Sequence, residues 1–106
     1  MIVVTTDTIP GKKIVATLGL VRGNTVRARH IGKDILAVLK NMIGGEIEEY
    51  TKMISEAREQ CIDRMTEEAQ SLGADAVVSM RFASAEIMQG AAELLAYGTA
   101  VKTEDN

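Results

Sequence analysis

The fold is decided by residues 44–82, which read GGEIEEYTKMISEAREQCIDRMTEEAQSLGADAVVSMRF. Apolar side chains recur there every three or four positions, close to the 3.6-residue period of an α-helix. These positions are Ile47, Tyr50, Ile54, Ala57, Cys61, Met65, Ala69 and Leu72. Glutamates crowd the first turn, where the helix dipole favours negative charge, and Gly44-Gly45 and Gly73 mark the two ends. The pattern predicts one helix of about 27 residues, roughly 40 Å long.

Two strands and a shorter helix are expected before this helix. The β-branched runs at 2–6 and 13–29 indicate strands. The second run contains Gly19 and Gly23-Asn24, so it is either a tight hairpin or one long strand that bends at its glycines. Residues 31–43 are expected to form the short helix.

Two further strands are expected after the long helix. Alternation in 76–82 places Val78, Met80 and Phe82 on one face of a strand. Residues 83–90 are expected to connect it to a last strand at 94–101, and 102–106 to form a frayed tail. The element order β-β-α-α-β-β predicts a single α+β domain over 1–106. In it, the long helix and the short helix cover an antiparallel sheet.

Composition narrows the class of protein. The chain has 106 residues, with 46% hydrophobic and 25% charged residues, which is typical of a soluble single domain. Only 3% of residues are aromatic, fewer than a β-sandwich or a base-stacking RNA binder would carry. The sequence holds no apolar run long enough for a membrane span, no secretory signal and a single cysteine. We therefore expect a cytoplasmic protein without a membrane partner.

Charge is unevenly distributed along the chain. Residues 1–45 contain seven Lys and Arg but two Asp, whereas 46–106 contain five Lys and Arg but thirteen Asp and Glu. Such asymmetry can mark a basic face for an anionic partner. The favoured interpretation is that the basic part packs against the acidic helix, within one chain or between subunits.

Several spaced motifs together resemble the YbjQ-like family, which is also labelled heavy-metal-binding. They are Ile43-Gly44-Gly45-Glu46, Tyr50-Thr51, Ala57-Arg58, Arg64-Met65, Leu72-Gly73-Ala74-Asp75-Ala76-Val77-Val78 and Tyr97-Gly98-Thr99-Ala100-Val101. The resemblance implies an α+β subunit similar to dodecin that assembles into a ring, with five subunits as the expected number. It brings no established activity.

A metal site is one alternative function, because the family label names one. Soft metals need several thiolate, imidazole or thioether ligands at one point. The candidates are Cys61, Met65 and His30, without any Cys-x-x-Cys or His-x-x-x-His motif. Cys61 lies on the apolar stripe, where a free cysteine behaves as a small hydrophobe. Core packing is therefore favoured, and a divalent or soft metal ion held by several copies around a ring axis is the alternative.

An anion or nucleic-acid site is a further alternative. It would use the basic group Arg22, Arg27, Arg29 and Lys33, beside His30. Against nucleic acid, the sequence pI is about 5.1 and no aromatic residues interleave with these basic residues along the chain.

The remaining candidate residues are expected to serve structure and assembly. They are Gly44, Gly45, Tyr50, Arg58, Arg64, Glu68, Gly73, Asp75, Tyr97 and Gly98. We expect Glu68 near the centre of the apolar stripe, paired with Arg64 four residues earlier to fix ring register. Asp75 is expected to accept hydrogen bonds from backbone amides in a turn.

No catalytic constellation is present in the sequence, and the question of enzymatic activity stays open. The function predicted is a cytoplasmic homo-oligomeric ring that binds a small ligand or serves as a scaffold. Soft-metal binding and anion binding are the alternatives.

Overall fold

The structure is a computed structural model that describes residues 1–28, 45–88 and 91–106. Over these ranges the chain forms four strands and one helix. They are β1 (Ile2–Val3), β2 (Lys12–Ala28), α1 (Gly45–Ser71), β3 (Ala76–Met88) and β4 (Ala91–Asp105). The short helix expected at 31–43 lies outside the described residues.

The strands form one sheet in the order β1-β3-β4-β2. β4 runs antiparallel to both of its neighbours, but β1 runs parallel to β3. The sheet is therefore mixed, and the expectation of a purely antiparallel sheet was wrong. A two-residue strand carries no sequence signal for its direction, which is why β1 could not be oriented in advance. The α+β class is confirmed, with α1 on one face of the sheet.

The long helix spans 27 residues, as its periodicity predicted. Ala57, Cys61, Met65 and Ala69 are buried at every fourth position. Leu72 was expected to extend this stripe but is 46% exposed, because α1 ends at Ser71 and the chain turns away. Glu68 is also exposed, so its predicted place near the centre of the stripe was wrong.

Gly73 ends the helix in the predicted way. Its φ is +79°, a left-handed value that favours glycine. Gly73 N donates to Gln70 O (3.0 Å) and Ala74 N to Ala69 O (3.1 Å). These two bonds form a Schellman motif, which satisfies carbonyl groups that the last helical turn leaves without partners.

β2 is one long strand, so the hairpin alternative for residues 13–29 is excluded. Its pairing with β4 runs from Lys12 opposite Asp105 to Ala28 opposite Ala91, with two irregularities. The second irregularity includes Gly19, whose φ is +130°. The strand thus bends at a glycine without turning back.

Gly23 brings α1 and β2 into direct backbone contact. A Cβ at this position would overlap the Cys61 carbonyl oxygen, the Met65 amide nitrogen and the Arg64 Cβ. Only a residue without a side chain allows the helix to lie this close to the strand. Gly23 therefore sets the distance between helix and sheet.

β3 contains a bulge that moves its later residues to the other face. Val78 pairs with Thr99 and Arg81 with Tyr97, so Ser79 and Met80 together face Gly98. Ser79 takes the positive φ of 55° that this requires. Val78 and Met80 consequently pack in different clusters on the two faces. Met80 shares the helix face with Phe82, which pairs with Ala96 of the helix-face cluster. The expectation that Val78 lies on this face too was wrong, because the bulge interrupts the alternation.

The last two strands are longer than the sequence predicted. β3 continues to Met88 and β4 begins at Ala91, so most of the expected connection at 83–90 is strand. β4 also includes 102–105, where a frayed tail was expected. Cross-strand pairing with β2 holds this end, reinforced by an ion pair between Lys12 Nζ and Asp105 Oδ1 at 2.7 Å. The first strand, expected at 2–6, is shorter and ends at Val3.

Hydrophobic clusters lie on both faces of the sheet. The helix face holds the larger one, which consists of Val21, Cys61, Met65, Ala69, Val77, Met80, Ala96 and Ala100. The opposite face, here called the open face, holds a smaller cluster of Ala76, Val78 and Val101, covered by Val4, Ile9 and Ile14. Further along the open face, large apolar side chains are exposed, including Leu20 (61%) and Val26 (55%).

Candidate functional site

Two arginines flank a tyrosine on the open face of the sheet. Tyr97 on β4 pairs with Arg22 on β2 and with Arg81 on β3. Directly opposed residues in antiparallel strands point to the same face, with Cβ atoms about 4.5–5.5 Å apart. Val21 is fully buried under α1, so its neighbour Arg22 lies on the open face. We call these three residues the Arg–Tyr–Arg row.

The two arginines of the row differ in how they are held. Arg81 Nη1 donates to the carbonyl oxygens of Thr5 and Met80, both at 2.8 Å. These bonds fix its guanidinium group beside the β1–β2 connection. Arg22 is exposed and forms no hydrogen bond or ion pair with any residue that the structure describes. Tyr97 is half-buried between them.

The candidate metal ligands Cys61 and Met65 lie in the core. Both side chains project from α1 and are fully buried between the helix and the sheet. Cys61 Sγ donates to the Leu94 carbonyl oxygen at 3.2 Å and lies 3.6 Å from Thr25 Oγ1. Among the described residues, no three His, Cys, Asp or Glu side chains come together as a metal site. His30 lies outside the described residues.

The predicted basic group is only partly described. Arg22 belongs to the Arg–Tyr–Arg row, and Arg27 occupies a β2 position opposite Ala92. Arg29 and Lys33 lie outside the described residues, as do Gly44 and the side chain of Tyr50. Along the chain no aromatic residue interleaves with the basic group, but across the sheet Tyr97 lies between two arginines.

The predicted Arg64–Glu68 pair is replaced by another contact. Arg64 Nη1 donates to the backbone carbonyl oxygen of Asn24 on β2. Asn24 Nδ2 in turn donates to Glu93 Oε2 at 3.2 Å. Arg64 therefore ties α1 to the sheet beside Gly23, while Arg58 donates to Ser55 Oγ on the same helix at 3.2 Å.

Asp75 and Gly98 both contribute to the packing of β3 against β4, but only Gly98 lies next to the site. Asp75 Oδ2 accepts a hydrogen bond from the Thr103 amide at 2.8 Å. This amide lies on β4, not in the turn where the bond was expected. Gly98 lies opposite the β3 bulge, and a Cβ there would approach Val77 Cγ1 within 2.6 Å. Gly98 therefore fixes how β3 and β4 meet next to Tyr97, whereas the Asp75 bond joins the start of β3 to the far end of β4.

Sequence reasoning missed two residues of this region. Arg81 entered no candidate group, because its nearness to Arg22 depends on strand order and register. Gly23 was considered as a hairpin-turn residue or as a bend in a long strand, but not as the contact point of the helix. A glycine in the middle of a β-branched run is a known signal of close backbone approach, and that signal was present here.

The outer surface of α1 is acidic. Glu56, Glu59 and Asp63 are exposed there and line a shallow depression together with Lys52, Ser55 and Gln60. α1 packs on the face of the sheet opposite the Arg–Tyr–Arg row. These carboxylates therefore cannot neutralise the row within the same chain.

Comparison with known proteins shows the family. The model of the YbjQ family, described as "Putative heavy-metal-binding", matches residues 1–104. The chain belongs to the YbjQ family. Relatives named UPF0145 protein include one from Methanosarcina acetivorans, 59% identical over 96% of each chain. Another, from Clostridioides difficile, is 57% identical over 100% of this YbjQ chain and 95% of its own length.

A solved structure agrees with this fold. It is a protein of unknown function from the DUF74 family of Pediococcus pentosaceus, which matches with a TM-score of 0.64 over 98% of both chains. The identity is 14%, so the likeness concerns the fold alone. In the described part of the YbjQ chain, no helix is long and apolar enough to cross a membrane.

Proposed function

We propose that this YbjQ-family chain is a cytoplasmic protein that assembles into a homo-oligomeric ring of five subunits and binds a small ligand. The observation that carries the assembly is an arm of the sheet whose β3 residues are exposed in the described part of the chain. This distal arm consists of residues 81–88 of β3 and 91–97 of β4. All of 81–86 is exposed, and Phe82 is 41% exposed.

The dimensions of the chain support assembly. Its radius of gyration is 17.3 Å, and its extents are 55 × 26 × 17 Å. A compact chain of this length would have a radius of gyration of about 13 Å. An elongated subunit with apolar side chains on an extended arm leaves surface that a second copy would bury.

The edges of the sheet favour a closed arrangement. Over the described residues, β2 forms one edge and the distal part of β3 lies at the other, beyond the short β1. Long uncovered edges invite pairing with another chain, and cyclic closure removes them. A ring in which one subunit's β2 meets the next subunit's β3 would satisfy both edges.

Native mass spectrometry of the protein as purified, before any chelator, tests the assembly. We expect the mass of five chains. A monomer at micromolar concentration would contradict the proposed ring, whereas another closed number would correct the count alone. A reproducible excess over the protein mass would show a bound ligand and give its size.

Soft-metal binding is the second candidate, because the family description names it. Cys61 is buried and hydrogen-bonded to Leu94, so a metal site would have to use other residues or several copies. We therefore expect Cys61→Ala to retain any zinc or copper that elemental analysis finds in the wild type. Loss of the metal in this variant, with its circular dichroism spectrum unchanged, would instead assign Cys61 as a ligand.

A further inference from the structure

We propose that the Arg–Tyr–Arg row binds the phosphate and base of a nucleoside phosphate on the open face of the sheet. The proposal rests on the small-ligand role stated above and names the ligand class. It does not require the ring, because Arg22, Tyr97 and Arg81 all come from one chain.

Charge is the first argument. Arg22 and Arg81 lie on either side of one strand, so their Cα atoms are separated by two strand spacings, about 10 Å. The Arg81 guanidinium lies on the β1 side of β3, held by the Thr5 carbonyl. An anionic group can therefore lie between the two arginines if the unrestrained Arg22 extends across Tyr97 toward β3. Planar guanidinium groups match phosphate oxygens with paired hydrogen bonds. The row therefore fits a ligand that carries more negative charge than a single carboxylate.

The lack of a carboxylate near the row is the second argument. Among described residues of β4, the nearest acidic side chain on this face is Glu93, four positions from Tyr97, or about 13 Å along the strand. Glu93 accepts a hydrogen bond from Asn24. The exposed carboxylates of α1 lie beyond the other face of the sheet. Among the described residues, neither arginine of the row forms an ion pair with a carboxylate.

The fixed position of Arg81 is the third argument. Its Nη1 already donates to Thr5 and Met80, which leaves Nη2 and Nε to donate elsewhere. A guanidinium held by two backbone carbonyls loses less side-chain entropy when a ligand binds. Arg22 has no such restraint and can close over the phosphate from the other side.

Tyr97 selects the class of anion. An aromatic ring on an open sheet face offers a stacking surface for a nucleobase, as in sheet-based nucleic-acid binders. Of the diagonal neighbours of Tyr97 on this face, Ala83 is small and Leu20 is 61% exposed, which adds apolar surface beside the ring. A base stacked on Tyr97 would place its phosphates toward the arginines. Inorganic phosphate alone would forgo this contact.

Isothermal titration calorimetry on the full chain tests the site, with ADP, adenosine and inorganic phosphate as separate probes. We expect ADP to bind more tightly than either fragment. Arg22→Ala and Tyr97→Leu should each weaken ADP binding about tenfold, since stacking and charge-assisted bonds are each of that size. Tyr97→Phe keeps the ring and should bind like wild type.

Arg58→Ala is the matched control, because it removes an exposed arginine from the helix and should leave ADP binding unchanged. Failure of ADP to bind, or equal binding by Arg22→Ala and wild type, would overturn the proposal. Inorganic phosphate binding as tightly as ADP would also overturn it. So would binding of a single-stranded DNA oligomer without binding of ADP.

Native mass spectra of the same samples separate this inference from the ring. A pentamer that ignores ADP would overturn the nucleotide site and leave the assembly intact. A monomer that binds ADP would overturn the ring and leave the nucleotide site intact. If Arg22→Ala dissociated the oligomer but kept ADP affinity, the row would be a contact between copies, and the nucleotide site would be rejected.

Discussion

A single glycine determines how closely the helix and the sheet pack in this protein. At Gly23 the backbone of α1 lies directly on β2, and Arg64 donates to the neighbouring carbonyl of Asn24. Such a contact has no room to adjust, because its atoms on the helix side are mostly backbone. We therefore expect single substitutions to have their largest effect on stability at this contact.

We predict that Gly23→Ala destabilises the fold by about 3 kcal/mol, since the added methyl group forces the helix away from the strand. Urea unfolding followed by circular dichroism measures this. Lys13→Ala, an exposed change on the same strand, is the control and should stay within about 0.5 kcal/mol. A Gly23→Ala protein as stable as the control would show that the helix can shift at little cost.

The Lys12–Asp105 pair should make stability depend on pH. Lys12 lowers the pKa of Asp105 below its ordinary value of 3.8, through a hydrogen bond and then through charge attraction. Because the folded-state pKa is depressed, the stabilisation is present above pH 3.8 and is lost as pH falls through the lowered value. The effect should be small and weaken with salt, since the pair is exposed.

Asp105→Asn tests this pair. Its unfolding free energy should be slightly below that of the wild type at pH 7, and the difference should vanish in strong acid and in 1 M salt. Asp7→Asn, which changes another exposed aspartate, serves as the control. A difference that persists in acid would mean that the substitution acts through something other than the ion pair.

At the scale of elements, the helix end was the best predicted feature. Gly73 adopts φ of +79°, and no atom lies within 4 Å of the place that an added methyl group would take, so substitution there costs conformational energy alone. We predict that Gly73→Ala lowers stability by about 1 kcal/mol. Gly73→Asn should lose less, because asparagine tolerates left-handed backbone. Equal losses for the two variants, measured by urea unfolding, would contradict this reason.

The sequence predicted the helix better than it predicted the strands. The helix followed from local periodicity, and both its length and its cap were confirmed. The local sequence did not predict which face each β3 side chain takes. The bulge at Ser79-Met80 lies opposite a glycine on the neighbouring strand, Gly98. The same dependence on partners hid the Arg–Tyr–Arg row. Pairing between distant residues sets both features, and a single sequence does not show it.

At the scale of the whole molecule, the distal arm should govern assembly. We predict that Phe82→Asp shifts the native mass toward smaller species and leaves the circular dichroism spectrum of the subunit unchanged. Phe82 is exposed in the single chain, so a charge there is costly only where another copy covers it. Leu72→Asp makes the same change at an exposed position at the end of α1 and should leave the mass unchanged.

An unchanged oligomer mass for Phe82→Asp would exclude the distal arm as an interface. Dissociation in both variants would indicate a general effect of added negative charge on a chain whose net charge is already −3. Only selective dissociation of Phe82→Asp supports the arm.

The β3 bulge also has a consequence for the tolerance of the gene to deletion. Ser79 and Met80 share one position opposite Gly98, so losing the codon for residue 79 would leave every later side chain of the strand on its present face. The loss would remove the bond from the Ser79 amide to Thr6. Losing a codon from 81 to 86 would exchange the two faces downstream of it. In-frame deletions should therefore be tolerated at one site of this strand and rejected just beyond it.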